Sequence, residues 1–239
     1  MGNFTITIKN QSNNHRSFLL FQGLPKPNTL DRNNVFANIY QQSPAIDGTG
    51  DARTTFSMEQ RYFAVCGTAQ PTRDGFMRVN TADTVPVRLG PNGTSAAVTG
   101  MGGYPTWDRS RMTDVTNAQG ALEIRTDNTF ELSNHNRTYI GCGATDPRTG
   151  EVVPIQSWPA QPNTVAQVFP RPKYFIAVGR FDPGVIVDGR TLGQVLEVDF
   201  TGASVPSATS TLTNNGTYEA DEKVELNGVK WTFGNIDEA

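Results

Sequence analysis

The chain has 239 residues with a formal net charge of −3, and is 36% hydrophobic and 18% charged. That length suffices to bury the core of one all-β domain, the low charge excludes a disordered polyelectrolyte, and its sign excludes the basic footprint of a nucleic-acid partner. No apolar run reaches the ~18 residues of a membrane span, and "MGNFTITIKN" lacks the basic and apolar regions of a leader. The expectation is therefore cytoplasmic, or secreted if a leader was removed. Five Asn-x-Ser/Thr triplets, starting at Asn3, Asn10, Asn92, Asn136 and Asn215, are glycosylation acceptors only in the second case.

Taken in chain order, the apolar residues alternate with period two, the period of a half-buried strand. Phe4, Ile6 and Ile8 of "NFTITIK" share one face, whereas "SFLLFQ" is apolar on both and predicts a covered strand. "NNVFANIY" alternates again, and "RTTFSMEQRYFAVCG" predicts one long strand or two joined by a bulge. Pro86 in "TVPVRL" marks an edge, because proline cannot donate to a ladder on both sides. "ALEIRTDNTFELS" predicts a hairpin turning at Asp127-Asn128, and "TYIGCG", "DPRTG" and "EVVPIQSW" a second one. "TVAQVF", "KYFIAVG" and "QVLEVDF" come next. In the C-terminal strand region, residues 208–236, Asn227-Gly228 sits between two alternating runs and predicts a hairpin over 223–233.

The fold expected is a single-domain antiparallel β-sandwich over residues 1–239, Greek-key or jelly-roll-like, with about a dozen strands and little or no helix. Only residues 113–120 have room for a helical turn.

Three stretches repeat one phrase: "CGTAQP" from Cys66, "CGATDP" from Cys142 and "VGRFDP" from Val178. Each has an aromatic four places before the glycine (Phe63, Tyr139, Phe175) and a proline four places after it. Apolar residues on both faces predict three central strands ending at a bulge or a sharp exit. Unequal spacing of the copies excludes a propeller or solenoid period. Cys66 and Cys142 take the slot of Val178 and read as small buried apolar groups; a disulfide between them, or a catalytic thiol, is the alternative. On the other face the three aromatics stand over Val65, Gly141 and Ala177, a depression that either loops or a ligand would fill.

The chain has no Gly-x-Ser-x-Gly elbow, phosphate loop or dinucleotide fingerprint, and only two histidines, His15 and His135. No cofactor or metal is expected, and no catalytic residue is identified. Glu59, Glu123, Glu131 and Glu197 fall at outward strand positions. The long segment 100–120 carries Tyr104, Trp107, Arg109, Arg111 and Met112. It is either an ordinary capping loop or a lid over a pocket, since Tyr, Trp and Arg concentrate at binding sites.

"FTITIKNQS", "NNVFANIYQQSP", "RYFAVCGT", "YIGCGATDPRTGEVVP" and "KYFIAVGRFDPGVIVD" together resemble a family of small all-β proteins from fungi and soil bacteria, over the chain up to about Phe200. The resemblance implies the fold and a microbial setting, and no activity. The function expected is binding of a small apolar or aromatic molecule, a microbial natural product, by Tyr104, Trp107, Arg109, Arg111, Phe63, Tyr139 and Phe175. Neither nucleic acid nor membrane is an expected partner. The alternatives are a cofactor-independent cyclase or isomerase of secondary metabolism, and a lectin-like carbohydrate-binding module.

Overall fold

The computed structural model describes residues 3–24, 34–100, 104–116, 118–187 and 192–236. The first alternating run becomes β1 (Asn3–Asn10), with Phe4, Ile6 and Ile8 buried and Thr5, Thr7 and Lys9 half-exposed. The apolar run behind it becomes β2 (Phe18–Gln22), buried at every position as a strand covered on both faces must be. The next run divides at Asn38 into β3 (Phe36–Ala37) and β4 (Ile39–Gln42). The long run divides too, at Gln60-Arg61, into β5 (Arg53–Glu59) and β6 (Tyr62–Pro71), which belong to different sheets.

Four sheets result. One carries β1 at its centre, between β5 and β17 (Ser207–Leu212), with β18 (Tyr218–Ala220) outside β17. A second places β2 between β4 and β15 (Lys173–Val178), followed by β16 (Gln194–Asp199) and β19 (Lys230–Asn235). A third runs β3, β13 (Val152–Pro159), β12 (Thr138–Thr145), β6, β7 (Met77–Val87). The last has β8 (Gly93–Thr99) and β11 (Leu122–Thr126) at its centre, flanked by β14 (Val165–Val168), β10 (Thr113–Thr116) and the short β9 (Thr106–Trp107).

Ile6, Leu20, Cys66, Cys142, Ile124, Ile176 and Leu196 from all four sheets meet in one apolar core. The architecture is the expected all-β sandwich, in nineteen strands among the described residues rather than about a dozen. Two pairings, β1 with β17 and β8 with β11, are parallel, a departure from the antiparallel expectation.

The repeated phrase has a backbone explanation. Its strands, β6, β12 and β15, are all interior to their sheets. Across from Cys66-Gly67, β7 carries one extra residue, Ala82, between Thr81 and Asp83; across from Cys142-Gly143, β13 carries Ile155 as the extra residue. Each is a one-residue bulge, and it pushes the partner backbone against the glycine. A Cβ at Gly67 would lie 1.9 Å from the Asn80 carbonyl oxygen, and one at Gly143 2.7 Å from that of Val153. In the third copy the glycine lies just past the strand end, and residues 184–187 continue as a strap. The strap bonds Ala37 and Ile39 on one side (Val187 N–H to Ala37 O, 2.8 Å; Ile39 N–H to Val185 O, 2.8 Å) and Met77 and Val79 on the other. It stitches the start of β7 to β3 and β4.

Both cysteines are buried free thiols on neighbouring strands, Cys66 paired with Ile140 and Cys142 with Ala64. Burial pushes the Cys66 thiol up to about 12 and that of Cys142 higher still.

Two expected hairpins are absent. Residues 223–233 do not form one: Asp221 accepts from the Lys223 N–H and opens helix α1 (Glu222–Leu226), anchored by buried Val224. Asn227 has φ −81°, whereas a type I′ turn needs positive φ at both central residues. Only Gly228 is positive, at 76°, as the residue that closes a helix C-terminus. The chain then pairs β19 with β16. Nor does the run after Asp127-Asn128 pair back on β11, because β8 and β14 already occupy both its edges. Buried Phe130 plugs the core there instead.

Gly67→Ala should lower stability by at least about 2 kcal/mol through this clash. Gly234→Ala, with open space around it, should stay within about 0.5 kcal/mol of wild type. Urea midpoints at constant m-value measure both.

Candidate functional site

The bulge in β7 re-aims Asp83, which anchors the segment leading from β9 into β10. The Asp83 carboxylate accepts from Thr106 Oγ1 (2.9 Å), the Trp107 N–H (3.1 Å) and Arg109 Nη2 (2.9 Å). Its carbonyl accepts from the Trp107 indole Nε1 (3.2 Å) and from the Cys66 thiol (3.6 Å). Desolvation opposes ionisation of this carboxyl, but the donors from Arg109, Trp107 and Thr106 outweigh it and hold the group below its usual range.

The described part of segment 100–120, residues 104–116, is accordingly not a free lid. It runs as β9, a 3-10 turn over Arg109–Arg111 capped by Asp108 through the Ser110 N–H (3.1 Å), and β10, all laid along β8. Trp107 is 3% exposed in the core, and Arg109 is paired to Asp83. Arg111 is exposed, its carbonyl accepting from Arg125 Nη2 (3.0 Å). Tyr104, just before β9, is 73% exposed. Residues 101–103 and 117 lie outside the described residues.

Past Asp83, the end of β7 faces the start of β10 across a groove of about 360 Å³. Pro86, Val87 and Met112 form its apolar walls, with Arg88, Thr94 and Asp114 at its polar end. The Arg88 guanidinium pairs with the Asp114 carboxylate, both largely exposed. Thr94 Oγ1 accepts from the Arg88 N–H (3.0 Å), fixing the β7–β8 turn. The groove is a seam between two sheets that begins on β7 three residues past Asp83 and carries the Arg88–Asp114 pair in its lining.

The three repeated aromatics are not gathered over one floor. Phe63 is paired with Pro86 at the groove's edge and lies under the Arg61 guanidinium, 5.3 Å from its ring centre. Tyr139 shares the Phe63 face but sits opposite Gly67, tilted against Phe36 at 6.5 Å. Phe175 is in another sheet, stacked on Phe21 at 5.3 Å in a second apolar cluster. Loops fill the depression beside it. Phe76, Phe181 and Val185–Val187 of the strap close over Ile39, leaving a void of about 10 Å³, at the lower limit for one water.

None of the seven expected ligand residues lines the groove: Phe63 pairs with its wall residue Pro86, Arg109 is held by Asp83, Trp107 is buried in the core, and Tyr104, Arg111, Tyr139 and Phe175 lie elsewhere. Sequence reasoning missed Asp83, Val87, Arg88, Thr94 and Asp114. The one available signal was Pro86, which marked β7 as an edge and so as the wall of a seam; β7 is indeed the last strand of its sheet. Among the described residues no three His, Cys, Asp or Glu side chains are placed to hold a metal ion, and no helix is long and apolar enough to cross a membrane.

The family model RhiA matches residues 2–223. The chain belongs to the RhiA family. The match takes in strands from all four sheets and stops short of β19, and so extends beyond the stretch up to Phe200 that carried the resemblance. No curated protein and no solved structure matches this RhiA-family chain.

Asp83→Ala should cost about 2–3 kcal/mol, the range for losing charged hydrogen bonds at a partly buried site. Because its folded-state pKa lies below 3.8, the Asp83 contribution is present above that value and fades as pH falls through the folded pKa. Urea midpoints of wild type and variant should therefore converge only on acidification below the ordinary aspartate range.

Proposed function

We propose that this RhiA-family protein binds a small organic acid with an apolar or aromatic body, seated in the groove between β7 and β10. The observation that carries this reading is that the apolar walls of Pro86, Val87 and Met112 end on Arg88, whose partner is an exposed carboxylate. An exposed ion pair contributes about 0–1 kcal/mol, so a ligand carboxylate displaces Asp114 at little cost. It then gains the two parallel bonds that a guanidinium offers a carboxylate. Burial of the ligand body against the walls supplies the remaining affinity, and the volume suits a small ligand.

Binding is favoured over covalent chemistry here. The two thiols face the core and not the groove, with Cys66 pushed up to about 12 by burial. The ligand expected from sequence is retained in class and gains an acidic head.

Titration of 13C-methyl-methionine protein with 1-naphthoate, cinnamate and their primary amides tests this. The acids should shift the Met112 methyl resonance and bind at least about tenfold tighter than the amides. Arg88→Met should erase the preference, and Asp114→Asn should strengthen acid binding. Absence of a Met112 shift with every acid, or equal affinity for the amides, would overturn the reading.

A further inference from the structure

A strand that ends a sheet carries a row of unpaired backbone N–H and C=O groups, and most such strands in this molecule are protected. The strap of residues 184–187 bonds β3, β4 and the start of β7, and Pro86 interrupts the rest of β7. β10, β14 and β18 are only four, four and three residues long. β5 is longer, but Gln41 Nε2 from β4 donates to its Ser57 carbonyl (2.7 Å). β19 is the exception. It ends its sheet with six residues, contains no proline or bulge, and carries its one charge, Lys230, at its first position. Among the described residues no other backbone bonds its outer side.

The ladder fixes which groups β19 leaves open. The Phe200 N–H donates to the Pro172 carbonyl (2.9 Å), so the even-numbered residues of β16 bond β15. The odd-numbered ones, Val195, Glu197 and Asp199, bond Gly234, Thr232 and Lys230 of β19. The main-chain groups of Trp231, Phe233 and Asn235 therefore point away from the sheet. The side chains of Trp231 and Phe233 lie half-buried on the core face.

We infer that this edge is closed by the same edge of a second copy of the chain, antiparallel about a two-fold axis through Phe233. This register alone pairs every open group. Phe233 faces Phe233 of the second copy and Trp231 faces Asn235 in both directions, so the three N–H and three C=O groups of each copy form six hydrogen bonds. An axis through Thr232 leaves Asn235 open, and one through Gly234 leaves Trp231 open. The side chains agree with the choice. Thr232 falls opposite Gly234, where a Cβ would meet nothing within 4 Å. The two Phe233 rings become direct neighbours with each Trp231 on the diagonal, and Lys230 falls opposite Ile236, so no like charges meet. The two five-stranded sheets join into one, and the two-fold axis stops growth at a dimer. This surface is independent of the groove at β7 and lies past the residues that the family model matches.

A strand pair of this length makes a small interface, so association is weak and needs high concentration. The test is sedimentation equilibrium of the full chain from about 50 µM to about 1 mM, with amide hydrogen exchange by NMR on the same samples. Protection of the Trp231, Phe233 and Asn235 amides should rise with the dimer fraction, whereas Thr232 and Gly234, bonded to β16, should be protected throughout. Asn235→Pro removes an N–H that β16 does not use. It should weaken the dimer at least about tenfold and leave the urea midpoint of the monomer unchanged, while Asn235→Ala, which keeps the N–H, should dimerise like wild type. A monomer at about 1 mM would overturn the inference, as would a dimer that Asn235→Pro does not weaken. So would protection of the three amides in samples that sediment as monomer, because the chain would then cover its own edge.

Discussion

The Asp83 carboxylate gathers most of the hydrogen bonds that tie β7 to the β9 region, beside the Trp107 indole bond to the Asp83 carbonyl and the exposed Arg88–Asp114 pair. A single extra residue in β7 turns Asp83 out of the ladder, and three donors from the β9 region converge on it. Three such bonds on a partly buried carboxylate exceed anything the short β9 pairing supplies alone, since β9 is two residues long. Without the clamp, segment 106–111 would be held by the two-residue pairing, the Asp108 N–H on the Ala97 carbonyl (2.8 Å), the Arg125 bond to the Arg111 carbonyl and the Trp107 ring. With it, the backbone that precedes β10 is fixed, and so is the far wall of the groove.

The rest of the sandwich is arranged to permit this. The glycines at 67 and 143 accept the close approach of bulged neighbours, so each hairpin of the central sheet bends without opening a gap. The strap of residues 184–187 secures the beginning of β7 as the clamp secures its later part. β7 is thereby held along its length and still presents an edge, where Pro86 prevents further strand pairing. A rigid edge strand facing a rigid neighbour across a seam makes a preformed groove, which costs little ordering on binding.

Much of this was legible in the sequence, and the hidden parts share a cause. Period-two alternation and runs apolar on both faces located β1, β2, β6, β12, β13, β15 and β16; the repeated glycines mark bulges in two copies and a strand exit in the third, although β6 and β12 run on past theirs. Local reading failed where a distant element had already taken the partner. Phe130–Ser133 could not pair because both edges of β11 were occupied. The Asn-Gly signal at 227–228 yielded to Asp221 and a run of helix formers. Asp83 carried no periodic mark at all, because its partners stand more than twenty residues along the chain. The three aromatics were correctly read as strand residues, but which faces meet is decided by sheet order, which spacing does not encode.

Hydrogen exchange at the Trp107 indole Nε1–H, followed by NMR under native conditions, addresses the clamp most directly. If Asp83 holds β9 against β7, that proton exchanges only through global unfolding, with the same free energy as the amides of β6 and β12. Exchange at the rate of an exposed loop in the folded protein would mean that segment 106–111 is a mobile lid, and the clamp and the preformed groove would both be refuted.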